Sequence, residues 1–360
     1  MPDPHDLSAP GPDAAQAGIA ARKSDHIALC LDGDVGFRAR TTLLDDVELV
    51  HDALPELHLD AIDLRTAFAG KPLRAPLIIA AMTGGTPDAE RINRELARAA
   101  QKFGIGFAFG SQRPLLVRGI RDGYHVRDVA PDALVLGNIG VVQASETPTA
   151  RLRAMVDETG CDALCVHLNP AMEVVQPGGD RDFRGGAATI RRLVEELGLP
   201  VIVKETGCGL SRGVGERLVG LGVTHVDTSG AGGTSWVAVE TARATGAASK
   251  AIGERFREWG IPTAASVVQL SGLNLAICAT GGISNGLEVA KALALGARCC
   301  GIARPFLQAN ARGELDAAIA AVIDELRVAC LLAGAGSVTA LSHVPKLVTG
   351  RLRDWLPDNR

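Results

Sequence analysis

From Pro76 onward the chain repeats one pattern: a short apolar run, a polar or glycine-rich stop, then a stretch with helical spacing. The runs are PLIIAAM (76–82), GIGFAFGS (104–111), LVLGNIG (134–140), ALCVHLN (163–169), PVIVKE (200–205), HVDTSG (225–230), LAICATGG (275–282) and CCGIARP (299–305). Each is continuously apolar, not alternating, as expected of parallel strands covered on both faces. Between them lie helix-like pieces such as AERINRELARAAQKF (89–103), AATIRRLVEEL (187–197) and NGLEVAKALAL (285–295). Eight such units predict a closed (β/α)8 TIM barrel, an α/β fold, in preference to an open doubly wound sheet.

The barrel is expected over residues 76–345. Residues 22–75 precede it and must cap or flank it while contributing substrate contacts. Residues 1–21 lack periodicity and read as a disordered tail, and 346–360 as a C-terminal tail. In such barrels the site lies at the C-terminal strand ends. Polar and glycine residues collect there: Thr83-Gly84-Gly85, Ser111, Asn138, His167 and Asn169, Lys204-Glu205, Thr228-Ser229-Gly230 and Gly281-Gly282. The sixth-to-seventh connection is too long for a simple crossover and holds GAGGTSW (230–236), read as an active-site loop.

Composition narrows the chemistry. Apolar residues are 47% of the 360, which excludes wholesale disorder. Aromatics are 3%, too few for base-stacking platforms, and 37 basic against 41 acidic residues give net −4, the wrong sign for a nucleic-acid binder. No run approaches roughly 18 apolar residues, so no membrane span is expected. The first 21 residues carry no Lys or Arg and do not read as a signal peptide. Eight cysteines form no CxxC pair and sit mostly in apolar runs, which suits a reduced, cytoplasmic protein.

The Gly281-Gly282 pair and Gly301 follow the seventh and eighth runs, where barrels often hold a phosphate on backbone N–H groups. Each alone could equally make a tight turn. Lys204 is a cation closing an apolar run, so it either meets Glu205 or faces an anionic cofactor atom. A flavin uses these features together. FMN fits better than a dinucleotide, because no GxGxxG leads from a strand into a helix. Arg22, Lys23 and Arg113 could hold a small polyanion, although an Arg-Lys pair also reads as solvated surface. Glu173 is a candidate Mg²⁺ ligand or an ordinary loop carboxylate, and His167 a base or a hydrogen-bonded core residue.

Eight segments in order, RKSDHI (22–27), HDALPEL (51–57), MTGG (82–85), GSQR (110–113), HLNPAMEVVQPGGDRDF (167–183), VKETGCG (203–209), DTSGAGGTSW (227–236) and FREWGIPTA (256–264), resemble the type 2 isopentenyl diphosphate isomerases. The resemblance spans about residues 22–305. It implies a TIM-barrel homo-oligomer (tetramer or octamer) that uses reduced FMN, Mg²⁺ and NAD(P)H as reductant to convert isopentenyl diphosphate to dimethylallyl diphosphate. It also implies a flavin site of Ala81, Met82, Thr83, Gly85, Ser111, Asn138, Lys204, Ser229, Thr234, Gly281, Gly282 and Ala303. Diphosphate contacts are implied for Arg22, Lys23, His26, Ser111, Arg113, His167 and Asn169, and metal binding for Glu173. Trp236 would wall the hydrocarbon pocket and, with His167 and position 172, face the chemistry.

One departure matters. The family motif HxNxxQE has a glutamine, thought to assist proton transfer, where this chain has Met172. Methionine cannot donate a proton and accepts only weakly. The family's QPEGD reads Gln176-Pro177-Gly178-Gly179-Asp180 here, and its GGIR reads Gly281-Gly282-Ile283-Ser284. Three expectations follow: an isomerase in which the flavin alone moves the proton, a paralogue that protonates and cyclises a longer prenyl diphosphate, or a non-catalytic flavin- or prenyl-diphosphate-binding protein.

Overall fold

The computed structural model describes residues 25–356. The expected N-terminal tail, and with it Arg22 and Lys23, lies outside the described residues. Eight parallel strands close into a barrel: β1 (Leu77–Ile79), β2 (Gly106–Ala108), β3 (Leu134–Gly140), β4 (Ala163–His167), β5 (Val201–Lys204), β6 (His225–Asp227), β7 (Ala276–Thr280) and β8 (Cys299–Ile302). Closure pairs β8 with β1, Cys300 opposite Leu77 and Ile302 opposite Ile79. Each strand falls inside its expected apolar run.

The runs are continuous because alternate residues serve two different cores. Leu77, Ile79, Phe107, Val135, Leu164, Val166 and Val203 face the surrounding helices. Ile78, Ala108, Leu134, Leu136, Cys165, Ile202 and Cys278 fill the barrel interior. Helices form where local chemistry starts and stops them. In Pro87–Phe103, Thr86 accepts a hydrogen bond from the Ala89 N–H, Pro87 occupies the first turn, and Gly104 ends the helix in a left-handed conformation. Gly286–Ala294 starts on Asn285, which accepts from the Glu288 N–H.

The segment before the barrel serves both of its ends. A hairpin, Thr66–Phe68 with Lys71–Leu73, turns on Ala69 and Gly70, both at positive φ. It drives Phe68 and Leu73 into the interior beside Leu134, Cys278 and Cys299, plugging the N-terminal end. At the opposite mouth, residues 25–32 are helical and the strap after them is tied down. Arg304 donates to the carbonyls of Cys30 and Gly33, Gln308 to that of Leu31, and the Phe37 N–H to that of Gly233.

The reading of 346–360 as a tail is corrected over its described part. Lys346–Val348 pairs antiparallel with Val47–Leu49, and Gly350–Trp355 forms a 3₁₀ helix that buries Leu352. The signal is weak because a three-residue edge strand has too little periodicity to register. The long β6–β7 connection carries the loop 230–235 and the helices Trp236–Arg243, Ala247–Phe256 and Thr263–Leu270.

Candidate active site

A cavity of about 670 Å³ opens at the C-terminal ends of the strands. Its wall includes His26, Ala81, Met82, Ser111, Arg113, Asn138, His167, Asn169, Met172, Glu173, Lys204, Ser229, Thr234, Trp236, Gly281, Gly282 and Ala303. All eight strand ends and the N-terminal strap thus bring the expected residues to one place. Thr83 and Gly85 are the exceptions and stand behind this wall. A Cβ on Gly85 would lie 2.9 Å from the Pro114 ring, and Thr83 is 2% exposed. The Thr83 hydroxyl is nevertheless buried without a hydrogen-bond partner among the described residues.

The glycines are there for close approach. Gly281 and Gly282 have φ of +105° and +77°. A Cβ on Gly281 would meet the Gly230 carbonyl oxygen at 2.1 Å, and one on Gly233 the Gly282 nitrogen at 2.4 Å. The loops after β6 and β7 therefore touch backbone to backbone, and no side chain can enter between them.

Lys204 is 8% exposed and donates to the Glu205 main-chain carbonyl at 2.6 Å, not to its carboxylate. The Glu205 carboxylate instead accepts the N–H groups of Thr206 and Cys208. Burial pushes Glu205 up to about 7 despite those bonds. Opposite Lys204 in register, Asp227 ends β6. Its Oδ1 accepts the Ser229 N–H at 3.0 Å and the Thr280 hydroxyl.

Around the other half of the mouth, Asn138 Oδ1 meets His167 Nδ1 at 2.8 Å, and Asn138 Nδ2 donates to the Phe109 carbonyl. The second bond fixes the amide orientation, so His167 Nδ1 is the donor in its contact with Asn138. Glu173 is buried: Oε1 accepts from Asn169 Nδ2 at 2.7 Å and Oε2 from the Asp180 N–H at 2.8 Å. Arg113 Nη1 lies 3.9 Å from Asp180, to which Gln143 also donates. Trp236 begins the helix capped by Ser235, and His26 meets its ring edge-on at 5.3 Å. His26 Nε2 pairs with Glu240 Oε1 at 2.7 Å, and Arg243 binds the other Glu240 oxygen at 2.8 Å. Burial opposes the Glu240 charge, but His26 and Arg243 outweigh it and hold the carboxyl below its usual range.

A profile of the FMN-dependent dehydrogenase family matches residues 15–172 and 171–345. The chain is 45% identical over 336 residues to an isopentenyl-diphosphate delta-isomerase of Synechococcus sp., covering 92% of this chain and 97% of that protein. It is 44% identical over 345 residues to the Halobacterium salinarum protein of the same name, covering 93% and 95%. The chain belongs to the type 2, FMN-dependent isopentenyl-diphosphate delta-isomerase family.

Solved structures agree on the fold alone. A lactate oxidase from Pediococcus acidilactici aligns with a TM-score of 0.66 at 15% identity, covering 93% of this chain and 94% of its own. A mandelate oxidase aligns with 0.63 at 18%, covering 93% and 99%. As a member of this family the chain is an isomerase-like enzyme that uses FMN. Sequence reasoning missed several of its wall residues: Asp227, Thr280, Gln143, Gln176, Phe37, Arg304 and Gln308. Asp227 left a signal, an acidic residue closing an apolar run. Arg304 and Gln308 left one only in their i, i+4 spacing, which places both on one helix face.

Among the described residues no helix is long and apolar enough to cross a membrane. All eight cysteines are free.

Proposed function

We propose that this enzyme shifts the double bond of isopentenyl diphosphate to give dimethylallyl diphosphate, with reduced FMN, Mg²⁺ and NAD(P)H as reductant, as a cytoplasmic homo-oligomer. The observation that carries the reading is the division of one cavity into two chemistries. One side is a glycine-lined cradle with Lys204. The other is an anion-binding set of Arg113, His26, His167 and Asn169 beside Glu173, with Trp236 and Met172 between them.

The residues fit both FMN and Mg²⁺. The backbone contact of the loops after β6 and β7 suits a flat, polar-edged ring and its phosphate. A single buried carboxylate suits Mg²⁺ when substrate phosphate oxygens and water complete the shell, and among the described residues there is no cluster of three or more ligating side chains. Gly281, Gly282, Ala303, Met82 and Lys204 would hold the flavin, and Glu173 the metal. Bound and reduced, the flavin supplies an electron-rich ring able to lend a proton to an alkene and take one back.

An unactivated alkene has no carbonyl to acidify its C–H bonds, so a proton must be added before another leaves. Arg113, His26 and Asn169 grip the diphosphate so that it stays in place while the substrate carries positive charge. The Nδ1 bond to Asn138 orients the His167 ring, whose Nε2 donates to the phosphates when the imidazole is doubly protonated. The Trp236 face stabilises the cationic carbon. The strap at Phe37 and His26 limits water at the mouth.

The test incubates reduced holoprotein and Mg²⁺ with isopentenyl diphosphate. Dimethylallyl diphosphate should form, at about 10²–10⁴ below the rate of an enzyme with a positioned proton carrier at residue 172. A second reading, protonation and cyclisation of a longer prenyl diphosphate, is favoured by Met172, which adds apolar surface to the wall where a polar side chain would otherwise stand. A cyclic product from geranyl diphosphate, with no turnover of the five-carbon substrate, would replace the first reading with the second.

A further inference from the structure

Asp180 has no part in the steps above, yet three of the segments that build the mouth converge on it. Arg113 opens the helix after β2, Gln143 lies on the helix after β3, and Asp180 ends the loop 176–180 that follows β4. Its Oδ2 accepts from Gln143 Nε2 at 2.7 Å and faces Arg113 Nη1 at 3.9 Å. Its N–H donates to Glu173 Oε2 at 2.8 Å. The loop reaches this position by wrapping tightly on Glu173: a Cβ on Gly179 would lie 2.1 Å from the Glu173 carbonyl oxygen. One residue thus touches the proposed metal carboxylate through its main chain and the proposed diphosphate arginine through its side chain. Gln143 is buried, so the carboxylate it binds has a fixed partner. Arg113 is only half-buried, and a long cationic side chain at a wet mouth loses rotamer freedom whenever it engages an anion. A partner that restrains it beforehand lowers that cost.

We propose that Asp180 is a positioning residue: its carboxylate, anchored by Gln143, holds the Arg113 guanidinium in the orientation that grips the substrate diphosphate. This role rests on the diphosphate reading of Arg113 and deepens it. Charge counting alone gives the opposite sign. A carboxylate beside a diphosphate repels it, so removing that charge would tighten binding. If Asp180 orients Arg113, removing it loosens binding instead, and the sign separates the two.

The test measures the Kd of isopentenyl diphosphate by calorimetry on oxidised FMN holoprotein with Mg²⁺, and KM and kcat on the reduced form. Asp180→Asn should raise Kd about tenfold, the loss of roughly one charge-assisted hydrogen bond. KM should rise with it, and kcat should change less than KM. Asp180→Ala carries the same expectation and serves if the asparagine variant does not fold. In an Arg113→Met background neither substitution should weaken binding further, because the side chain through which Asp180 acts is gone. The main-chain bond to Glu173 survives both substitutions, so bound-flavin absorbance and the Mg²⁺ concentration for half-maximal binding should stay unchanged. A Kd that falls or stays unchanged in both variants, or that rises equally with and without Arg113, overturns the proposal while leaving the diphosphate reading intact. So does a rise accompanied by a matching shift in Mg²⁺ dependence, which marks a collapsed loop. A wild-type holoprotein that binds no isopentenyl diphosphate overturns the diphosphate reading itself, and this role with it.

Discussion

Replacing Met172 with glutamine tests the site at its most unusual position. Met172 lies in the cavity wall on the short helix Pro170–Val175, beside Glu173 and one turn from Gln176. The two side chains are of similar length and position 172 is half-buried, so the swap should leave the backbone in place. What it adds is a hydrogen-bonding amide at the mouth. Positioned acid–base groups typically contribute 10²–10⁴ in rate, about 3–5 kcal/mol of barrier. With Arg113, His167, Asn169 and Glu173 already in the cavity wall, Met172→Gln should raise kcat for isopentenyl diphosphate isomerisation at least tens-fold. KM should change less than threefold, because residue 172 is not among the proposed diphosphate contacts. The assay is deuterium incorporation into dimethylallyl diphosphate followed by NMR, normalised to bound FMN. An unchanged kcat at full flavin occupancy would refute the argument that a missing proton-handling group limits this enzyme.

Other expectations follow from single contacts. Glu240→Gln strands His26 and Arg243 beside a neutral amide. It should raise KM for the diphosphate more than it lowers kcat, and cost about 3 kcal/mol in denaturant titration, as breaking a buried ion pair does. Glu173→Gln should raise the Mg²⁺ concentration for half-maximal rate more than tenfold in a metal titration while flavin absorbance stays unchanged. Gly281→Ala adds a Cβ against the Gly230 carbonyl at positive φ, so flavin content after purification should fall by tenfold or more. Glu205 holds its proton more tightly folded than unfolded, so it erodes stability as pH rises from about 4.5 to about 7. That loss, on the order of 3 kcal/mol, should be absent in Glu205→Gln when unfolding free energies are compared across this window.

The barrel was legible because its strands are buried on both faces. Leu134 and Leu136 pack inward and Val135 and Ile139 outward, so β3 reads as one unbroken apolar run, and the same holds around the ring. Its ends were less legible. The hairpin at Ala69–Gly70 that plugs the bottom, and the pairing of Val47–Leu49 with Lys346–Val348, join strands of three residues. So short a strand shows no period, and its partner can be hundreds of residues away.

The site divides by the same logic of range. Residues at strand ends, such as Asn138, His167 and Lys204, interrupt apolar runs and so announce themselves. Glu240 does not: it sits inside a helix, and its burial follows from His26, more than two hundred residues earlier, reaching it across the mouth. Gly85 shows a limit of the pattern: a glycine-rich strand end looks the same whether it lines a cavity or, as here, packs against Pro114 and Tyr124. Sequence pattern registers what a residue interrupts, whereas partnership depends on closure of the barrel. Met172 is the case where the two meet: the pattern marks it as a departure, and the fold puts that departure in the cavity wall, beside Glu173.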